Sequence, residues 1–234
     1  MRKNIESMLG LAIKATDGEI GHVKDFYFDD ESRTVRYLVV QTGSRLLGRK
    51  VLISFASVKK IDCEAAEFVV DLSCEQVRNS PDIDTDKPVS RQHEFELHEH
   101  YMLPVYWLGA PGMGFTAIED YPLVDPDLEE EYEDEEVPES EPGDQHLRSA
   151  KQVRGYLIHA ADGEIGHVKD FIVELDNGVI THLLVDTRNL LAGRKVLLET
   201  DKIQNIDWLA SEVFVSVSRQ DIIESPEFDI EKDL

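Results

Sequence analysis

Cysteine is scarce: Cys63 and Cys74 are the only two in 234 residues, both in the first half. A chain of this size in a reducing compartment needs no bridge between them, so they read as ordinary thiols. Long apolar runs are missing too, and without about 18 such residues in a row no helical membrane span is expected. The opening MRKNIESMLG has two positive charges but no apolar h-region or small-residue cleavage site, so no secretory leader is expected and the cytoplasm is the expected compartment. Positive charge is in deficit, with 24 Lys and Arg against 48 Asp and Glu and a net charge of −24. Such a field repels nucleic acid and anionic membrane surfaces, which argues against both as partners. There is no G-x-S-x-G, no phosphate-cradling G-x-x-x-x-G-K-[ST] and no C-x-x-C. No catalytic residue and no cofactor are therefore nominated.

What is present is a repeat. DGEIGHVKDF from Asp17 to Phe26 recurs unchanged from Asp162 to Phe171, an offset of 162 − 17 = 145. GRKVL from Gly48 to Leu52 returns at the same offset as Gly193 to Leu197, and SPDIDTDK from Ser80 is echoed by SPEFDIEK from Ser225. Solenoid units run about 20 to 50 residues, so a period this long is a duplicated domain.

Each copy has the pattern of short strands. The first reads LGLAIKAT, a turn at Asp17-Gly18, EIGHVKDFYFD, a polar turn, TVRYLVVQT, a Gly-punctuated loop, VLISF, SVKKID and EFVVDLS. The second repeats the series. Each ends in a helical turn opened by Ser73 or Ser218, with Gln76 or Asp221 three residues on, as in a capping box. Five or six short strands in about 75 residues are too few for a large sandwich, and closing the sheet removes exposed edges. An all-β fold of two small closed or partly open barrels is expected. Period-two alternation places Leu38, Val40, Leu183 and Val185 inward, joined by Ile20, Phe26, Ile165 and Phe171.

The combination of DG-x-x-G-x-V-x-D-(aromatic), an LVV-like strand and GRKVL resembles the PRC-barrel family, and both copies carry it. The resemblance covers Met8 to about Lys87 and Gln152 to about Lys232. That family includes the cytoplasmic domain of the photosynthetic reaction-centre H subunit, a domain of a ribosome maturation factor, and cell-division proteins. It implies a barrel used as a docking surface, without catalysis. The chain departs from those members: it lacks the H subunit's membrane helix, lacks the ribosome factor's separate N-terminal barrel, and is strongly acidic. More closely, it resembles two-barrel bacterial proteins.

The expected organisation is a first barrel over 1–87, a helix and aromatic cover segment over 88–124, an acidic linker over 125–147 and a second barrel over 148–234. Ser90 is a helix cap for RQHEFELHEHYM, whose spacing puts Phe95, His98, Tyr101 and Met102 near one face. LPVYWLGAPGMGF then supplies Tyr106, Trp107 and Phe115, residue types enriched in interface anchors. This ribbon covers a barrel face in its own chain or a dimer, or else docks on another protein; the cover is the preferred reading. Beyond it, DPDLEEEYEDEEVPESEPGDQ holds twelve acidic residues and no Lys or Arg, a composition too charged to bury.

Candidate sites are weighed against plainer readings. His22, Lys24 and Asp25, with His167, Lys169 and Asp170, could form a polar cluster, but a turn, a bulge and outward charges along a strand explain the same residues. Arg49, Lys50, Arg194 and Lys195 could meet an acidic partner or the acidic linker, with surface solvation preferred. His93, His98 and His100 lack the spacing of helix-borne metal ligands, and DIDTD from Asp82 has Lys87 where a calcium loop needs Gly, so no metal is expected. The partner-binding candidates are thus Tyr101, Tyr106, Trp107, Phe115, Arg49, Lys50, Arg194 and Lys195. The expected function is a non-catalytic protein-binding or scaffolding module that binds a protein partner or itself. The alternatives are a ribosome- or RNA-associated maturation factor and, less favoured, a metal- or small-ligand-binding enzyme domain.

Overall fold

The computed structural model describes residues 1–43, 48–62, 65–81, 83, 91–103, 147–187 and 194–229, without the side chains of residues 91–93 and 95. The first repeat supplies β1 (Arg2–Asn4), the turn of helix α1 (Ile5–Met8), β2 (Ala12–Lys14), β3 (Glu19–Asp29), β4 (Thr34–Thr42), β5 (Lys50–Ser54), β6 (Val58–Asp62), β7 (Glu67–Val70) and α2 (Cys74–Arg78). Helix α3 (Arg91–Tyr101) follows. The second repeat runs through β8 (Leu147–Ser149), α4 (Ala150–Val153), β9 (Leu157–Ala160), β10 (Gly163–Glu174), β11 (Ile180–Asp186), β12 (Lys195–Glu199), β13 (Ile203–Asp207), β14 (Glu212–Val215) and α5 (Arg219–Glu224). No helix is long and apolar enough to cross a membrane among the described residues.

These strands form two seven-stranded sheets, β5-β4-β3-β2-β7-β6 and β12-β11-β10-β9-β14-β13, curled as partly open barrels. Neighbours pair antiparallel except β2 with β7 and β9 with β14, which are parallel. Phe26, Leu38, Val40, Leu183 and Val185 are buried inside as the alternation predicts, with Ile20, Ile165 and Phe171 beside them. Both terminal helical turns have the expected capping box, Ser73 with Gln76 and Ser218 with Asp221.

The seventh strand of each sheet comes from the other repeat. β1 lies in the second sheet, with Arg2, Lys3 and Asn4 opposite Glu174, Val173 and Ile172. β8 lies in the first sheet, with Leu147, Arg148 and Ser149 opposite Asp29, Phe28 and Tyr27. Every one of these pairs maps onto its counterpart at the 145-residue offset. In both sheets the long central strand explains the vacancy that is filled. β2 pairs with β3 only near its start, from Glu19 to His22, so the far end of the same edge is free for β8.

Each shared motif residue now has a physical reason. The Asp17 carboxylate accepts from the backbone N–H of Cys74 at 2.7 Å, and Asp162 does the same for Arg219, so this pair tethers the hairpin to the helix that closes each repeat. A Cβ on Gly21 would lie 2.0 Å from the Gln41 carbonyl oxygen, and one on Gly166 2.2 Å from that of Asp186, which leaves room for glycine alone. The guanidinium of Arg49 donates to the Val77 and Arg78 carbonyls, and that of Arg194 to Ile223 and Ser225, satisfying the exposed carbonyl ends of α2 and α5.

Candidate functional site

The residues with the most unusual environment sit where the repeats meet. Register shifts between Val23 and Asp25, and between Val168 and Asp170, make a bulge at each lysine of the VKDF run. A bulge adds a residue to one strand and so changes the side-chain phase. The changed phase keeps Asp25 and Asp170 outward, opposite Val39 and Leu184, while Phe26 and Phe171 turn in, yet Asp25 is only 9% exposed and Asp170 not at all, because a segment of the other repeat covers each.

Each buried carboxylate holds the segment exchanged from the other repeat. Asp170 accepts from Asn4 Nδ2 at 2.8 Å, from the Glu6 backbone N–H at 3.1 Å and from the Phe171 N–H at 2.9 Å. Asp25 accepts from Ser149 Oγ, from the Lys151 backbone N–H at 3.0 Å and from the Phe26 N–H at 2.8 Å. Helix termini leave backbone donors unsatisfied, and here a carboxylate from the opposite repeat takes them at the start of α1 and α4. Burial pushes both carboxyls above the usual aspartate range, opposed by the side-chain and backbone donors around them.

The joint has a twofold axis. Thr34 and Val179, equivalent positions of the two repeats, bridge each other antiparallel. The N–H of Val35 donates to the Gly178 carbonyl at 2.9 Å, and that of Ile180 to Arg33 at 2.7 Å, a reciprocal pair under the offset. A segment that meets its own repeat antiparallel in this way is the mark of an isologous contact. Around the axis, the rings of Phe28 and Phe171 pack at a tilt with centroids 5.1 Å apart, and Arg148 bridges to Asp30 at 2.7 Å. Charge breaks the symmetry on the rim. Burial pushes the Glu6 carboxyl up, but Arg154 and Lys169 hold it below the usual glutamate range. Its counterpart in the second repeat is Lys151.

Among the described residues, a second feature belongs to the first barrel alone. Helix α3 lies over the outer face of β4 and β5, presenting Glu94, Leu97, His98 and Tyr101, all buried. The Tyr37 hydroxyl donates to Glu94 Oε2 at 2.7 Å and lies 2.9 Å from His98 Nε2, so His98 is oriented as the donor to the phenol oxygen. The Tyr101 hydroxyl donates to the Leu52 carbonyl at 3.1 Å, and burial pushes its pKa up to about 12. The expected helix face thus shifts. Met102, placed on it by spacing, follows the last helical residue with φ of 53° and is 76% exposed.

Of the partner-binding candidates, Tyr101 is not available to a partner: it is buried in its own chain. Arg49 and Arg194 are engaged with the carbonyls already described. Lys50 is exposed and Lys195 half-buried, on the two edge strands. These residues form no common cluster. Tyr106, Trp107 and Phe115 lie outside the described residues, as does the acidic run before β8. Among the described residues no group of three or more His, Cys, Asp or Glu could hold a metal ion. Sequence reasoning missed the carboxylates at the joint as partners of the other repeat. The signal was the alignment of RKNIESM with LRSAKQV, in which Asn4 and Ser149 share capping chemistry.

No curated protein matches the chain. The family model of the PRC-barrel domain matches residues 3–75, from β1 to the first turn of α2. That span includes the strand lent to the other sheet. Residues 3–75 of this chain are a PRC-barrel domain.

Proposed function

We propose that this protein is a non-catalytic protein-binding scaffold of the cytoplasm, built from two PRC-barrels of which residues 147–229 form the second. The observation that carries the reading is the reciprocal exchange of β1 and β8. It joins two barrels of the same strand order into one twofold unit, so two sets of outer faces are held at a fixed separation and orientation. Fixed spacing of duplicated surfaces is what a scaffold needs, since linked sites convert a second binding event into an intramolecular one. The family resemblance supports docking over chemistry. The net charge of −24 favours a protein partner over a nucleic acid.

The test is affinity capture by the full chain from native extract at two salt concentrations, in parallel with the Tyr106→Ala, Trp107→Ala double variant. A protein recovered at constant stoichiometry at both salts supports the scaffold, and its loss in the folded double variant assigns the aromatic segment as its docking site. Salt-sensitive retention of RNA, or metal at one equivalent by elemental analysis, would overturn the reading.

A further inference from the structure

The backbone of the joint is twofold, but three of its side-chain contacts are made by different residues at the equivalent positions. Phe55, just after β5, lies over Gly178 of the second repeat, where the backbone has φ of 73° and a Cβ would stand 2.9 Å from the ring. On the other half of the axis the equivalent pair is Thr200 and Arg33, and there the Arg33 guanidinium reaches the Ile203 carbonyl at 3.1 Å. Arg148 of β8 meets Asp30 at 2.7 Å with side chains only 15% and 10% exposed, whereas the equivalent pair is Lys3 and Leu175. On the rim Glu6 holds Arg154 at 2.8 Å and Lys169 at 3.6 Å, whereas the equivalent positions carry Lys151, Leu9 and Lys24.

These differences decide which repeats can pair. Two first repeats joined by the same backbone contacts would set Phe55 against Arg33 in place of Gly178, on both sides of the axis. The ring stands where the Cβ of the arginine has to go, so Phe55 would be driven from its seat. Charge does not forbid that pair, because Lys3 would replace Arg148 opposite Asp30. Two second repeats meet the opposite obstacle. Thr200 is small enough to lie over Gly178, but Arg148 would face Leu175 in a nearly buried place, and Lys151 would join Arg154 and Lys169 as a third cation. A buried charge without its partner and a cluster of like charges both weigh against association, whereas the mixed pair avoids both. Asp25 and Asp170 perform the same task in every pairing and discriminate nothing.

We propose that the joint is a selective recognition surface, on which a first repeat accepts a second repeat and rejects its own kind. Shape bars one like pair and charge bars the other, so selectivity comes from what each wrong pairing would force together. The ligand that either surface takes from outside is the complementary repeat of a second copy of this chain. Within one chain the two surfaces satisfy each other, at an effective concentration set by their tether. Like-with-like contacts, which would link one chain to the next, are closed off. This inference goes beyond the scaffold reading and does not depend on it.

The test uses full chains in which the Asp30–Arg148 pair is reversed one side at a time. Each is unfolded in urea, refolded, checked for protected β4 and β11 by hydrogen exchange, and weighed by sedimentation equilibrium across a wide concentration range. Arg148→Asp sets two carboxylates against each other in the mixed pair, so the first–first pair, which would match Asp30 with Lys3, has its best opportunity. The expected mass is still that of one chain, because Phe55 bars that pair. Adding Phe55→Thr, which installs the residue type of the second repeat, should remove the bar and double the mass. Asp30→Arg alone should also remain one chain, as should the milder Arg148→Gln. Refolded together in equal amounts, Asp30→Arg and Arg148→Asp should form two-chain particles holding one of each, since every joint then matches a cation with a carboxylate. A doubled mass for either reversal refolded alone would show that like repeats pair and overturns the proposal. A mixture that stays at one chain overturns it too, as does a single-chain mass for Arg148→Asp with Phe55→Thr, because the contacts named would then not be the ones that select.

Discussion

The joint and the outer faces of this molecule follow opposite rules. At the joint the repeats obey their twofold relation closely: Asp25 and Asp170 perform one task, and the paired residues of β1 and β8 match position for position. On the outer faces the same two strands have diverged, from Tyr37 and Ser54 beneath α3 to His182 and Glu199 at the equivalent positions. The difference teaches which contacts are reciprocal. A change in an exchanged strand or its carboxylate acts on both barrels, because each is completed by the other. A change on an outer face is felt by one barrel alone, and that freedom lets duplicated domains acquire separate surfaces.

The comparison breaks most visibly at the aromatic contact beside the axis. Phe28→Ala removes a fully buried ring that packs against Phe171 of the other repeat, and such truncations cost about 3–5 kcal/mol. Urea unfolding should show the loss as a single shifted transition for both barrels; two separated transitions would mean that the joint does not couple them.

The next effect in size is at the carboxylates. Asp170→Ala leaves the Glu6 and Phe171 N–H groups and the Asn4 amide without their acceptor, at a cost of about 1–3 kcal/mol, and Asp25→Ala should match it at the symmetric site. Unequal costs would show that the rim charges, not the buried pair, dominate. These two groups also set a pH dependence. Their folded pKa values are raised from 3.8, so their relative contribution to stability is fully present below that value and is lost as pH rises through the folded pKa. The stability of the parent chain relative to Asp25→Asn with Asp170→Asn should therefore fall as pH rises above 3.8, read from denaturation midpoints at each pH.

The smallest effect sharpens the asymmetry. Tyr101→Phe deletes the bond to the Leu52 carbonyl while keeping the ring, for about 0.5–1.5 kcal/mol. Hydrogen exchange should accelerate in α3 and β5 and stay unchanged in β11 and β12; equal acceleration in both barrels would contradict a local action of α3 on the first.

Much of this architecture was legible in local pattern. Strand EIGHVKDFYFD shows its inward Ile20 and Phe26, and the Ser73 and Ser218 caps announce the closing turns through their side-chain chemistry. The strands RKN and LRS did not declare themselves, because three residues are too few to show a period of two and their polar letters resemble a chain end. The burial of Asp25 was hidden for a related reason: its side chain stays on the outer face of the strand, and nothing in the letters VKDF says that a segment from the other repeat covers it there.

By itself the sequence determined that there are two copies, that each is a curl of short strands, and which apolar side chains line it. Those properties depend on neighbours along the chain, through alternation, turn chemistry and capping. Only the tertiary structure decided which barrel each opening strand would complete, that the aspartates of an identical motif would face each other's repeat, and that α3 would lie over the outer face of β4 and β5. Those outcomes depend on partners more than a hundred residues away, and a free sheet edge or an unsatisfied helix end accepts whatever complementary segment the fold brings to it.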